Sequence, residues 1–249
     1  MQGVLYVSHG TRLPEGKQEA IEFLQSIQPS IDVPLQEICF LEIIEPTIED
    51  GIKKLVEQGA TAISIVPILL LSAAHAHDDI PSAVEKVKQS YPTVTFTYGQ
   101  PLGIQDRIID VLEDRLKEQF SEVPTDVSFL VVGRGSRDEQ TMIDIKTVAK
   151  KLGDRINSGV DVSFLAVMKP SFEEALGNAK ERGITKLIVL PYLWFNGLLI
   201  RDMTKKIDQL NQEGMEITLC GQLGDHDMMK QALIDRVNES FDIPFTYQA

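Results

Sequence analysis

A chain of 249 residues, 43% of them hydrophobic and 24% charged, has the balance of a globular protein with a sizeable core. Its 24 basic residues against 37 acidic ones leave a formal charge of −13, which disfavours a nucleic-acid partner, because such binding rests on clustered Lys and Arg. No apolar run approaches the ~20 residues needed to cross a bilayer, and the opening residues carry no basic stretch ahead of an apolar one. The expectation is a cytoplasmic protein without a membrane or nucleic-acid partner.

In chain order, short β-branched runs alternate with helical periodicity. Residues 4–8 read as a first strand, and Ala20, Phe23, Leu24 and Ile27 follow the i, i+3, i+4, i+7 spacing of a helix face. A second strand is expected at 38–41, then a helix through Ile48, Ile52, Leu55 and Val56 that stops at Gly59. A third strand at 63–71 and a helix through Ile80, Val84 and Val87, with Pro81 in its first turn, precede a fourth strand at 94–98. The polar, Pro-containing stretch 121–126 reads as a linker. Beyond it strands are expected at 129–132, 162–167, 186–192 and 217–220, with helices at 142–152, 172–182, 200–210 and 228–237. Cys39 and Cys220 fall in strand-like runs of different halves and read as buried, reduced thiols.

The two halves are copies of one unit. LYVSHGTR at 5–12 returns as LVVGRGSR at 130–137, FLEIIEPT at 40–47 as FLAVMKPS at 164–171, and PILLLSAAHAHD at 67–78 as PYLWFNGLLIRD at 191–202. His9 thereby aligns with Arg134, Glu42 with Ala166 and His75 with Leu199, at near-constant offsets (134 − 9 = 125, 166 − 42 = 124, 199 − 75 = 124). Strict β-α alternation, twice over, predicts two similar Rossmann-like α/β lobes, each a four-stranded parallel sheet flanked by helices, with a cleft between them. The lobes are expected at 1–122 and 123–249, the first carrying the site and the second a degenerate repeat, in a monomer.

His9, Glu42 and His75 each follow an apolar strand run, spaced by one βα unit (42 − 9 and 75 − 42 are both 33). Ligands of open parallel sheets bind beyond the carboxyl ends of the strands, so this spacing gathers the three on one rim. Two imidazoles and a carboxylate suit a divalent metal such as Fe²⁺, Co²⁺, Ni²⁺ or Zn²⁺. The alternative for any one of them is a structural residue at a strand end. Arg12, Arg134 and Arg137 also follow strand ends, as carboxylate-gripping forks or as ordinary surface ion pairs. Tyr192, Trp194 and Phe195 read either as an apolar wall for a ligand or as packing beneath a loop.

Three motifs, in order, resemble those of the sirohydrochlorin chelatases, members of the class II chelatase superfamily. They are Ser8-His9-Gly10-Thr11-Arg12, then Phe40-Leu41-Glu42 with Glu45-Pro46, then Ala73-Ala74-His75 before Asp79-Ile80-Pro81. Together with the degenerate second half, the similarity covers essentially the whole chain and is to the long, two-lobed form. The resemblance implies insertion of a divalent metal into sirohydrochlorin to form siroheme, Fe²⁺ first and Co²⁺ or Ni²⁺ for cobalamin-type cofactors as the runner-up. It implies no tightly bound cofactor, the metal being substrate. By the same resemblance His9, Glu42 and His75 are catalytic, with His9 and His75 handling the metal and Glu42 taking a proton. Arg12, Arg134, Arg137 and Trp194 would meet the tetrapyrrole.

Other candidates carry less. Glu45 reads as a helix-start carboxylate and His226 as a residue that caps or solvates the start of the last helix. His77 departs from the family pattern and reads as a solvated first-turn residue or a helper in metal entry. A histidine phosphatase would need Arg where Ser8 stands, and a nucleotide-binding Rossmann protein would need a Gly-x-Gly-x-x-Gly loop that is absent. A non-catalytic tetrapyrrole or metal carrier could use the same ligands without turnover.

Overall fold

The structure, a computed structural model, describes residues 1–11, 13–42, 44–72 and 75–247, and of His75 the backbone alone. It divides into two compact units, residues 1–103 with 230–249 and residues 104–229. Among the described residues no helix is long and apolar enough to cross a membrane.

The first unit alternates β1 (Gln2–Ser8), α1 (Pro14–Ile27), β2 (Leu35–Phe40), α2 (Ile48–Glu57), β3 (Ala62–Ile68), α3 (Ile80–Lys88) and β4 (Thr95–Tyr98). The four strands are parallel in the order β2-β1-β3-β4. Val4, Leu5, Tyr6 and Val7 are all fully buried, so β1 is a continuous apolar run rather than an alternating one. That is the pattern of a central parallel strand covered on both faces. One face packs Leu5, Val7, Ile63 and Ile65 against Ile48, Ile52 and Leu55 of α2 and Ile80 and Val84 of α3. Helix α2 starts on a reciprocal capping box, Thr47 accepting from the Asp50 amide while Asp50 accepts from the Thr47 amide.

The second unit holds α4 (Asp106–Lys117), β5 (Ser128–Gly133), α5 (Gln140–Ile156), β6 (Val160–Phe164), α6 (Phe172–Glu181), β7 (Lys186–Tyr192), α7 (Leu198–Gln212) and β8 (Glu216–Leu219). Its parallel order, β6-β5-β7-β8, repeats the first. Leu130, Val132 and Val189 pack on Phe172 and Leu176 of α6 and on Met203 and Ile207 of α7. Ser171 and Glu174 repeat the capping box at the start of α6. The duplicated α/β architecture read from the sequence is thus present in both halves.

The units differ from the sequence halves at 122/123 because the last helix of each half changes sides. Helix α4, absent from the sequence reading, belongs to the second unit. Its Arg115 donates to the carbonyls of Gln222 and Leu223 just after β8, and Asp106 pairs with Lys151 of α5. Conversely α8 (Asp227–Ser240), from Lys230 onward, belongs to the first unit. Its Arg236 donates to the Leu102 carbonyl after β4, and Ser240 shares a buried hydrogen bond of 2.5 Å with Ser64. The chain then returns along β4. The Tyr98 amide donates to the Ile243 carbonyl, Thr97 bridges Pro244 antiparallel, and the Phe245 amide donates to the Phe96 carbonyl.

Candidate functional site

The carboxyl ends of β1 and β2 bring two predicted residues together. Past β1 the chain turns at Gly10 with φ +96°, and a Cβ there would lie 2.2 Å from the Glu42 carbonyl oxygen. Only glycine allows that approach. The Leu41 amide donates to the Ser8 carbonyl and the Glu42 amide to the His9 carbonyl, which extends the β1–β2 pairing to the site residues. The Phe40 amide donates to the Pro46 carbonyl and closes the 40–47 loop beneath Glu42. On this frame His9 Nδ1 lies 3.3 Å from Glu42 Oε1, the His side chain 23% exposed and the Glu side chain 51%. A partly buried imidazole, its Nδ1 buried, therefore stands beside an exposed carboxylate.

The third predicted residue follows β3. The Leu69 and Leu70 carbonyls accept from the amides of Leu102 and Gly103, which ties the β3 exit to the β4 exit. The chain then enters a π-helical turn, His75–Asp79, that runs into α3. Such turns interrupt the regular ladder and are frequent at functional sites. The His75 backbone opens this turn, and its side chain lies outside the described structure. His77 is exposed. Among the described side chains no group of three His, Cys, Asp or Glu is placed to hold a metal ion.

The second unit keeps the frame and changes the side chains. Gly135 has φ +88°, and a Cβ there would lie 2.0 Å from the Ala166 carbonyl oxygen. The Leu165 and Ala166 amides donate to the Gly133 and Arg134 carbonyls, and the Phe164 amide to Pro170. Where His9 and Glu42 stand in the first unit, this frame presents Arg134 and Ala166. Arg134 and Arg137 are exposed. Val167, next in line, is 69% exposed with φ +64°, a strained backbone for a β-branched residue. Trp194 is only 6% exposed and stacks on Phe195 with ring centroids 5.2 Å apart. Leu199, aligned with His75, sits half-buried in the first turn of α7.

Arg12 lies outside the described residues. Glu45 is exposed, and its carbonyl accepts from Lys17 Nζ. His226 Nδ1 accepts from the Met228 amide, with Nε2 3.5 Å from Asp114, so it caps the start of α8 as read. Cys39 and Cys220 are free and buried. Burial drives the Cys39 thiol well above its ordinary pKa and pushes Cys220 up to about 12, so neither is a thiolate nucleophile at neutral pH. Sequence reasoning passed over Tyr98, whose hydroxyl donates to the Ala76 carbonyl inside the π turn at 2.7 Å. Its only sequence signal was a polar aromatic at a strand's last position.

The CbiX family model matches the chain twice, over residues 3–119 and 128–240. A sirohydrochlorin ferrochelatase of Priestia megaterium is 41% identical over 95% of this chain and 90% of its own length. A sirohydrochlorin cobaltochelatase of the same organism is 33% identical over 97% of this chain and 81% of its own length. The solved structure of SirB from Bacillus subtilis with Fe³⁺ superposes with a TM-score of 0.88 at 36% identity, covering 98% of this chain and 99% of that one. Both halves match one family model, and the fold and sequence agreement run the length of the chain. The chain belongs to the CbiX family, among the sirohydrochlorin chelatases.

Proposed function

We propose that this protein inserts Fe²⁺ into sirohydrochlorin, releasing the two pyrrole protons and changing no oxidation state. The single observation that carries the proposal is the pairing of His9 and Glu42 at 3.3 Å on adjacent strand ends. His9 and His75, one βα unit beyond Glu42, hold and hand over the metal. Glu42 beside Nδ1 orients the His9 imidazole and leaves Nε2 for the metal, as carboxylate partners of metal-binding histidines do. As the metal moves to the macrocycle, Glu42 takes a pyrrole proton, the work of a carboxylate within hydrogen-bond reach. Arg134 and Arg137, with Arg12 in the first half, grip the macrocycle's carboxylates. Trp194, buried, supports the loop after β7 rather than touching the ligand.

Iron is favoured over cobalt because identity to the ferrochelatase of Priestia megaterium is 41%, against 33% to the cobaltochelatase of the same organism. The latter match is what keeps Co²⁺ as the second reading, since imidazole and carboxylate ligands separate these metals weakly. The test is anaerobic mixing of protein, sirohydrochlorin and one metal at a time, followed by absorbance. Formation of the metallated macrocycle fastest with Fe²⁺ is expected. No acceleration over the protein-free rate with any metal would reduce the protein to a carrier.

A further inference from the structure

We propose that Tyr98 is a positioning residue for His75, and that the C-terminal segment 243–247 holds Tyr98 in place for that task. The inference rests on the role given to His75 above. The Tyr98 hydroxyl donates to the carbonyl of Ala76, the residue after His75 and, among the described side chains of the π turn, the buried one, at 2.7 Å. Burial raises the Tyr98 phenol above its ordinary pKa, so the donor keeps its proton throughout the working pH range. On this side the turn borders open space. A cavity of about 180 Å³ lies there, lined by Ala76, His77, Pro81, Tyr98, Ile243 and Pro244 among others. Beside that opening the hydroxyl is a polar tether between β4 and the turn.

Tyr98 is in turn fixed from the chain's far end. Its amide donates to the Ile243 carbonyl at 2.9 Å, and its ring meets Phe245 edge-on with centroids 6.0 Å apart. Phe245 is 7% exposed, with Lys88 Nζ over its ring at 5.2 Å from the centroid. The two repeats supply an internal control. Tyr98 pairs with Ile65 across the β3–β4 ladder, and Leu219 pairs with Val189 at the matching place in the second unit. The copy with Leu199 in place of His75 has no hydroxyl at this position either. The hydroxyl and the histidine are thus found in the same unit.

Tyr98→Phe removes the hydroxyl and leaves the ring against Phe245. Co²⁺ titrated into the protein without tetrapyrrole, followed by visible absorption, should bind Tyr98→Phe about tenfold more weakly and with an altered ligand-field band, the scale of one lost hydrogen bond at a site. KM for sirohydrochlorin should stay within about twofold, because the positioning role gives Tyr98 no contact with the macrocycle. Phe245→Ala should weaken Co²⁺ binding in the same direction and by less; wild-type affinity there would remove the C-terminal segment from the proposal. Wild-type Co²⁺ affinity and spectrum in Tyr98→Phe, beside lost binding in His75→Ala, would overturn the positioning role and leave the site intact. Equal loss of Co²⁺ and sirohydrochlorin binding in Tyr98→Phe would also overturn it, as general damage to the unit. Undiminished Co²⁺ binding in His75→Ala would instead strike the site reading itself, and the positioning role with it.

Discussion

At the strand ends of the first unit, Gly10 lies against the Glu42 carbonyl; at those of the second, Gly135 lies against the Ala166 carbonyl. The hydrogen bonds from Leu41 and Glu42 recur at Leu165 and Ala166, and the Thr47 cap recurs at Ser171. The backbone has been held while the side chains above it have changed from His and Glu to Arg and Ala. A close carbonyl approach with positive φ admits one residue type, so the glycines are kept by sterics in both units. Nothing of that kind holds a histidine in place. On the proposed function, chemistry is what keeps His9 and Glu42 in one unit alone, and the difference between the units would then separate scaffold from function residue by residue.

The comparison can be broken most directly at the reacting groups. Glu42→Ala is expected to lower the insertion rate by about 10²-fold or more, the range of a lost general base, while sirohydrochlorin binding measured by fluorescence quenching stays close to wild type. His75→Ala should behave similarly, and Leu199→Ala, at the matching place in the second unit, should keep most of the turnover. Comparable losses at 75 and 199 would mean that both units carry reacting groups.

A smaller effect sharpens the division between scaffold and chemistry. Gly10→Ala and Gly135→Ala each force a side chain into the left-handed region and onto a carbonyl 2.2 or 2.0 Å away. Each should cost on the order of 1–3 kcal/mol of stability, read as a fall in Tm. Only the first should also cut the insertion rate, because only there does the displaced strand carry Glu42. Equal rate losses in the two variants would show that the second frame positions something the reaction needs.

The sequence placed the candidate residues at strand ends more readily than it divided the chain into units. His9, Glu42 and His75 were legible because strand ends are fixed by local apolar runs, and the repeat offset put all three at equivalent ends. The strands themselves emerged within a few residues, since a buried parallel strand is a plain apolar run. The exchange of α4 and α8 was not legible. An amphipathic face states that a helix covers a sheet and is silent on which sheet, so Arg115 and Arg236 reveal their carbonyl partners only in three dimensions. Helix α4 itself was missed although Ile108, Leu112 and Leu116 recur every fourth residue and are buried. The Tyr98 tether joins residues 22 positions apart through one hydroxyl, and no periodicity encodes it.

The smallest expected effects lie in the caps, where the two units should behave alike and then part. Thr47→Ala and Ser171→Ala should each cost about 1 kcal/mol, the usual price of an N-cap, with insertion unaffected in Ser171→Ala. The capping carboxylates add a pH dependence. Asp50 is held below its ordinary pKa chiefly by the Thr47 hydroxyl, and Glu174 chiefly by the hydrogen bond from the Lys169 ammonium. A depressed folded pKa stabilises above the unfolded pKa, and the contribution is lost as pH falls through the folded value. The Tm gap between wild type and Asp50→Ala or Glu174→Ala should therefore be full at neutral pH and close below the ordinary carboxylate range. Salt should divide the two. The Glu174 gap leans on an exposed ion pair and should shrink in high salt, whereas the Asp50 gap leans on a neutral hydroxyl and should persist. Equal salt sensitivity would mean that Lys53, the weakest of the influences on Asp50, outweighs its cap.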